Sequence, residues 1–170
     1  MSIQQSPRSQ RAASFGFSLI ELMIVVAIIA VLAAIAISSY SSYVVKTNRS
    51  AATGCMSEYA NYMERFYTTN LRYDESFPSS SSTAGAVQNP ATGSPSLMTL
   101  DCASTSQTGN NYSYAVPAPT ATTYTINATP IGTQATRDTQ CGVLSLNYRG
   151  TRTALSGSAS STVVAQCWGG

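Results

Sequence analysis

Glu21 places a carboxylate at the start of a stretch that is otherwise built from apolar side chains. Every residue from Leu22 to Ile37 is apolar. A charged side chain in the middle of a membrane-spanning helix costs about 2.5–3.5 kcal/mol, and somewhat less near an end of the helix. Either this carboxylate snorkels to the lipid headgroups from the first helical turn, or a positive charge pairs with it.

The four cysteines have the chemistry of disulfides rather than of a metal site. Cys55, Cys102, Cys141 and Cys167 all follow the apolar stretch, no C-x-x-C pair occurs, and the chain has no histidine. That pattern does not favour zinc. An even set of cysteines behind an export signal predicts disulfides in an oxidising compartment, with four free thiols as the alternative. Four cysteines allow three connectivities.

Three arginines in the C-terminal third are candidate nucleic-acid contacts. Arg137, Arg149 and Arg152 can form a small basic stripe against phosphates, with Tyr148 as a stacking surface between them. The alternative is that three arginines near turns are solvated. Beyond Phe17, seven Lys and Arg balance seven Asp and Glu, so no broad electrostatic footprint for nucleic acid is expected.

Composition argues against an enzyme. Only 9% of residues are charged, and the absence of histidine removes the usual general base and proton shuttle. Paired acids and a glycine-rich phosphate loop are also missing, so no catalytic site, metal site or cofactor site is expected.

The apolar stretch is long enough to cross a membrane. Residues 17–37 would form a helix of about 31 Å at roughly 1.5 Å per residue. Arg8 and Arg11 favour a cytoplasmic N-terminus, and the cysteines favour export of the C-terminal part. A cleavable secretory signal peptide and a plain signal anchor both fit the apolar run, but neither explains Glu21.

The residues Gly16-Phe17-Ser18-Leu19-Ile20-Glu21-Leu22-Met23 resemble the prepilin motif of type IV pilins and pseudopilins. The resemblance implies a leader peptide at 1–16, cleavage between Gly16 and Phe17 and N-methylation of Phe17. It also implies that Glu21 of one subunit pairs, in the assembled filament, with the Phe17 ammonium of the next.

The resemblance places the transmembrane and filament-core helix at 17–37, and the rest of that helix with an exported globular head at 38–170. Ala52, Cys55/Met56, Tyr59, Met63 and Phe66/Tyr67 recur every three or four residues, which predicts that one face of the helix is core until about Thr68–Asn70. Where many pilins have a proline, this chain has Ser38-Ser39. We therefore expect a weakly stable stretch of helix there rather than a kink.

Alternating β-branched and aromatic residues predict strands within 111–116, 122–129 and 141–155, with a turn at 147–150. The fold class is α+β: a long N-terminal helix whose C-terminal half packs on a sheet of three or four antiparallel strands. We favour Cys55–Cys102, tying the serine-rich loop to the helix, and Cys141–Cys167, which resembles the disulfide-bounded terminal loop of pilins.

The stretch CMSEYANYMERFYTTNLRY (55–73) and the late CGVLSLNYRGTRT with CW resemble PilE-type minor pilins and the related competence pilins. The implied function is a structural subunit of a type IV pilus for adhesion, twitching motility or DNA uptake. A DNA-binding competence pilin, a major pilin and a type II secretion pseudopilin are the alternatives. The implied partners are other pilin subunits, the prepilin peptidase, an inner-membrane assembly platform and DNA. The implied location is the inner membrane and then an extracellular pilus.

Overall fold

The structure is a computed structural model that describes residues 17–76, 85–96, 98–155 and 160–169. The chain divides into two units, Met1–Tyr40 and Ser41–Gly170. Gly16 and the rest of the expected leader lie outside the described residues. Helix α1 spans Leu19–Asn70 and is helical through Ser38 and Ser39, which is consistent with the absence of a proline there.

The first part of α1 keeps its apolar side chains on the surface. It is long and apolar enough to cross a membrane, and its most apolar window is 0% buried within the protein. Large side chains such as Leu19, Ile28 and Ile37 are more than half exposed. Exposing this apolar surface to water costs about 25 cal/mol of free energy per Å². It therefore requires lipid or other subunits around it.

The second part of α1 has the predicted buried stripe. Ala52, Cys55, Met56, Tyr59 and Met63 are at most 2% exposed and form one core cluster with the strands. Stacking of the Tyr59 ring on the Tyr114 ring, with centroids 5.6 Å apart, fixes the helix against the sheet. The helix ends at Asn70, within the predicted range.

Four antiparallel strands form the sheet that covers this stripe. They are β3 (Tyr112–Ala115), β4 (Thr125–Pro130), β5 (Leu144–Asn147) and β6 (Arg152–Thr153), in the order β3-β4-β5-β6. Alternate residues of β3 and β5 are buried, as expected for strands with one face on a core. The α+β fold with a long N-terminal helix is therefore confirmed.

The loop between α1 and the sheet is tied to the core at two places. Two short strands, β1 (Glu75–Ser76) and β2 (Val87–Gln88), pair antiparallel within it. The buried Asn89 side chain donates to the Tyr73 carbonyl at 2.8 Å and accepts from the Ala91 N–H at 3.0 Å. A disulfide joins Cys55 of α1 to Cys102, with the two sulfurs 2.03 Å apart.

Two short helices were not predicted from the sequence. Helix α2 (Gly132–Arg137) lies between β4 and β5, and α3 (Ser161–Trp168) follows β6. The segment with the last cysteine and the only tryptophan is thus helical, and a Cys141–Cys167 disulfide holds it to the segment that precedes β5.

Candidate functional site

The first residues of α1, from Leu19 to Met23, belong to the motif that the sequence singled out. The Ser18 carbonyl accepts from the Glu21 N–H at 3.1 Å and from the Leu22 N–H at 3.2 Å, so Ser18 immediately precedes the helix, which begins at Leu19. Phe17 is 80% exposed, and Glu21 lies in the first turn, where the helix dipole favours a carboxylate. Within the described part of the chain Glu21 has no ion-pair partner.

A buried polar network connects α1 to α2 and β3 in the head. The Arg49 guanidinium forms a bidentate pair with the Asp138 carboxylate, with nitrogen–oxygen distances of 2.9 and 2.6 Å. The Tyr112 hydroxyl and the Gln134 amide each donate to the same carboxylate at 3.0 Å. Burial raises the pKa of the Tyr112 hydroxyl, and the neighbouring Asp138 charge raises it further, so this hydroxyl keeps its proton and remains a donor.

The same network positions the C-terminal helix α3. A guanidinium nitrogen of Arg49 donates to the Gln166 carbonyl at 3.2 Å, next to the disulfide-bonded Cys167. The Trp168 indole N–H donates to the Thr153 carbonyl of β6 at 3.0 Å. Trp168 is therefore held by its own hydrogen bond to β6 and by the contacts of the two residues before it.

The β5–β6 turn presents an arginine on an aromatic ring. The Asn147 side-chain oxygen accepts from the N–H groups of Arg149 and Thr151, and Gly150 adopts the left-handed conformation that the turn needs (φ 76°). The exposed Arg149 guanidinium lies over the Tyr148 ring, 5.2 Å from its centroid. The predicted turn at 147–150 is confirmed.

A second arginine–aromatic pair lies at the base of that turn. The Arg152 guanidinium is 5.4 Å from the Trp168 ring. Both residues line a cavity of about 190 Å³ against α1, together with the hydroxyl side chains of Ser50, Thr53 and Ser57. We call Tyr148, Arg149, Arg152 and Trp168 together the basic edge.

The basic edge suits binding of an anionic backbone. A guanidinium stacked on an aromatic face still has N–H groups free at its edge, and these match the geometry of a phosphate. From Cys102 to Trp168 the chain has three arginines and one acid, Asp138, which Arg49 already neutralises. This part of the head is therefore locally positive, although charges of both signs nearly balance over the whole head.

Arg137 lines different cavities from the basic edge. Arg137 lies in the last turn of α2 and lines cavities against α1. Among the described residues no hydrogen bond, ion pair or ring contact joins it to Tyr148, Arg149 or Arg152. Sequence reasoning did not assign Trp168 a role. The only feature of the sequence that could have indicated a role for Trp168 is that it is the single tryptophan and follows a cysteine.

A metal site has no support in the described ranges, where no group of three or more acidic, cysteine or histidine side chains is positioned to hold an ion.

Comparison with known families identifies two regions of the chain. Residues 11–37 match the prokaryotic N-terminal methylation motif. Residues 38–145, more than half of the chain, match the family described as type IV minor pilin ComP, DNA uptake sequence receptor. No curated protein matches the chain. The two matches adjoin at Ile37 and Ser38 and together cover both the exposed apolar helix and most of the head, so the chain belongs to the family of ComP-type type IV minor pilins.

Proposed function

We propose that this minor pilin is a DNA receptor of a type IV pilus and that its basic edge contacts DNA phosphates. The observation that carries the receptor function is the match of residues 38–145 to a family described as DNA uptake sequence receptor. That match ends before the β5–β6 turn, so the assignment of the basic edge rests on its charge and geometry.

The chemistry of the basic edge supports phosphate binding. Arg149 and Arg152 are exposed, and each is held against a ring rather than against a carboxylate. Contact with DNA would release counterions from the phosphates, which favours association most strongly at low salt. The rings restrict the two side chains before binding, so less conformational entropy is lost when the complex forms.

The proposal also includes the cleavage of the leader peptide and the assembly of the subunit into the pilus. The prepilin peptidase removes residues 1–16 and methylates Phe17, leaving the apolar part of α1 in the inner membrane with the head outside the cytoplasm. An assembly platform then transfers the subunit into the pilus among other pilins. In the filament the Glu21 carboxylate pairs with the Phe17 ammonium of a neighbouring subunit, which neutralises a charge that lipid tolerates poorly.

Replacing Arg149 or Arg152 with glutamine is expected to weaken DNA binding by the head roughly tenfold each. A hydrogen bond to a charged group contributes about 1.5–3 kcal/mol, and each 1.4 kcal/mol is a factor of ten. Fluorescence anisotropy with a labelled duplex and a fragment beginning at Ser41 measures the change. This fragment retains the whole core cluster, whose members lie between Ala52 and Trp168.

The matched control is Arg65→Gln, which removes the same charge from an exposed position of α1 that lines no cavity with the basic edge. Equal loss of affinity in Arg65→Gln and Arg149→Gln would mean that only net charge matters, and the basic edge would be rejected. Arg137→Gln, measured beside them, tests the remaining predicted contact.

A further inference from the structure

A second basic site lies on the head, where the part of α1 that belongs to the head begins. A cavity of about 400 Å³ is bounded by Ser41 and Lys46 of α1 and by Arg137, Asp138 and Thr139 at the end of α2. All of its lining residues belong to the Ser41–Gly170 unit. It shares none of the residues of the basic edge.

The charge of this cavity is not balanced by the described residues around it. Asp138 is the only acid that lines it, and the bidentate contact with Arg49 already neutralises that carboxylate. The Lys46 and Arg137 side chains form no hydrogen bond or ion pair with any described residue. The cavity therefore has two unpaired cations, with the Thr139 hydroxyl and the Gln140 amide as neutral donors.

The position of the cavity along α1 indicates what could fill it. Ser41 follows Ile37, the last residue of the apolar stretch, by about one helical turn, or roughly 6 Å. The polar headgroup layer on each side of a bilayer is about 5–7 Å thick. Lys46 lies some 14 Å beyond Ile37 along the helix, and its long side chain can extend back toward the bilayer. Headgroup phosphates would therefore lie at the level where the cavity begins.

We propose that this cavity binds the phosphate of an anionic phospholipid headgroup while the pilin is still in the membrane. Lys46 and Arg137 supply the two cations, and the neutral Arg49–Asp138 pair forms a fixed wall that holds α2 in place. The site would hold the head at the membrane surface until the subunit enters the filament. The proposal rests on membrane anchoring by α1 and is independent of the proposed DNA receptor function.

Native mass spectrometry of the mature full-length chain tests the site. The protein is extracted from bilayers that contain equal amounts of phosphatidylglycerol and phosphatidylcholine, and the bound lipids are counted. Near a membrane surface each basic residue accounts for about a fivefold change in affinity for anionic lipid, so Lys46→Gln/Arg137→Gln should lose binding on the order of 30-fold. Arg65→Gln/Arg72→Gln removes the same charge at positions that do not line this cavity and should retain phosphatidylglycerol like the parent protein.

Any of three other results would overturn the proposal. Equal retention of phosphatidylglycerol by both double variants would mean that the cavity is not the binding site. Retention of both lipids in equal amounts would mean that the apolar helix alone holds them. Displacement of the lipid by millimolar inorganic phosphate would identify a site for free phosphate. Thermal unfolding of the Lys46→Gln/Arg137→Gln protein, expected to be unchanged because both side chains are exposed, excludes a folding defect.

Discussion

Replacing Asp138 with alanine is expected to lower the free energy of unfolding of the head by about 3–5 kcal/mol. The change leaves the guanidinium of Arg49, a residue that is 9% exposed, without its carboxylate, and it removes an acceptor from Tyr112 and Gln134. Breaking a buried ion pair by removing one partner typically has an effect of this size. Because domains are stable by only about 5–15 kcal/mol, the loss is a large fraction of the total. Urea denaturation of the oxidised fragment from Ser41 measures it.

Asp101→Ala is the matched control for that experiment. Asp101 is exposed, and its side chain accepts one hydrogen bond, from the Gln107 amide at 2.7 Å. Surface changes of this kind are usually within about 0.5 kcal/mol. Asp138→Asn should fall between the two, because an amide keeps an acceptor oxygen but leaves the arginine charge unpaired. If Asp138→Ala cost no more than Asp101→Ala, the network would not be what holds α2 and α3 to α1.

Glu21→Ala is expected to leave the pilin in the membrane but to prevent most of it from entering filaments. The alanine protein has one less group that is costly in lipid, so the membrane-anchored subunit should accumulate normally. In the filament the neighbouring Phe17 ammonium would lose its partner, at a cost of about 3–5 kcal/mol. Quantitative mass spectrometry of membranes and sheared filaments, in cells that also make the parent protein, gives the incorporation ratio. The N-terminal peptide of both proteins should begin at methylated Phe17.

Glu58→Ala is the control, since Glu58 is another exposed acid of α1 and forms no ion pair with any described residue. Glu21→Gln should incorporate poorly but better than alanine, because its amide oxygen can accept from the ammonium without neutralising it. Equal incorporation of Glu21→Ala and Glu58→Ala would leave Glu21 as a snorkelling side chain. An N-terminal peptide beginning near Ile37 would instead identify an ordinary signal peptide.

The parts of the fold that were predictable from the sequence are those with a regular burial pattern. The stripe from Ala52 to Met63 follows the helical period and is buried as predicted. The alternation in β3 and β5 identified both strands, and Asn147 with Gly150 identified the turn between β5 and β6. Each of these features depends on neighbouring residues along the chain.

The parts that could not be predicted depend on contacts between distant residues. Helix α3 is short and starts from Ser160 without a side-chain cap, and its position depends on the disulfide at Cys167 and on Arg49. The strands β1 and β2 have two residues each, too few to show any alternation. Nothing in the spacing of Arg49 and Asp138 indicates that they pair across 89 positions.

The same limit applies to the candidate sites. Arg149 and Tyr148 were identified because they are adjacent in a predicted turn. The pairing of Arg152 with Trp168 required the path of α3, and the cavity at Lys46 required the position of α2 beside α1. The sequence grouped Arg137 with Arg149, and only the fold shows that Arg137 lines a cavity together with Lys46.

The salt dependence of DNA binding tests the receptor function most directly. For duplex DNA, the logarithm of the binding constant falls against the logarithm of salt concentration with a slope of about −0.9 for each phosphate contacted. This slope does not require the recognised sequence to be known, because phosphate contacts are independent of sequence. We predict that the head binds duplex DNA with a clear negative slope and that Arg149→Gln/Arg152→Gln makes the slope less steep by about 1.8. No measurable binding at low salt, or the same slope in both proteins, would contradict the account.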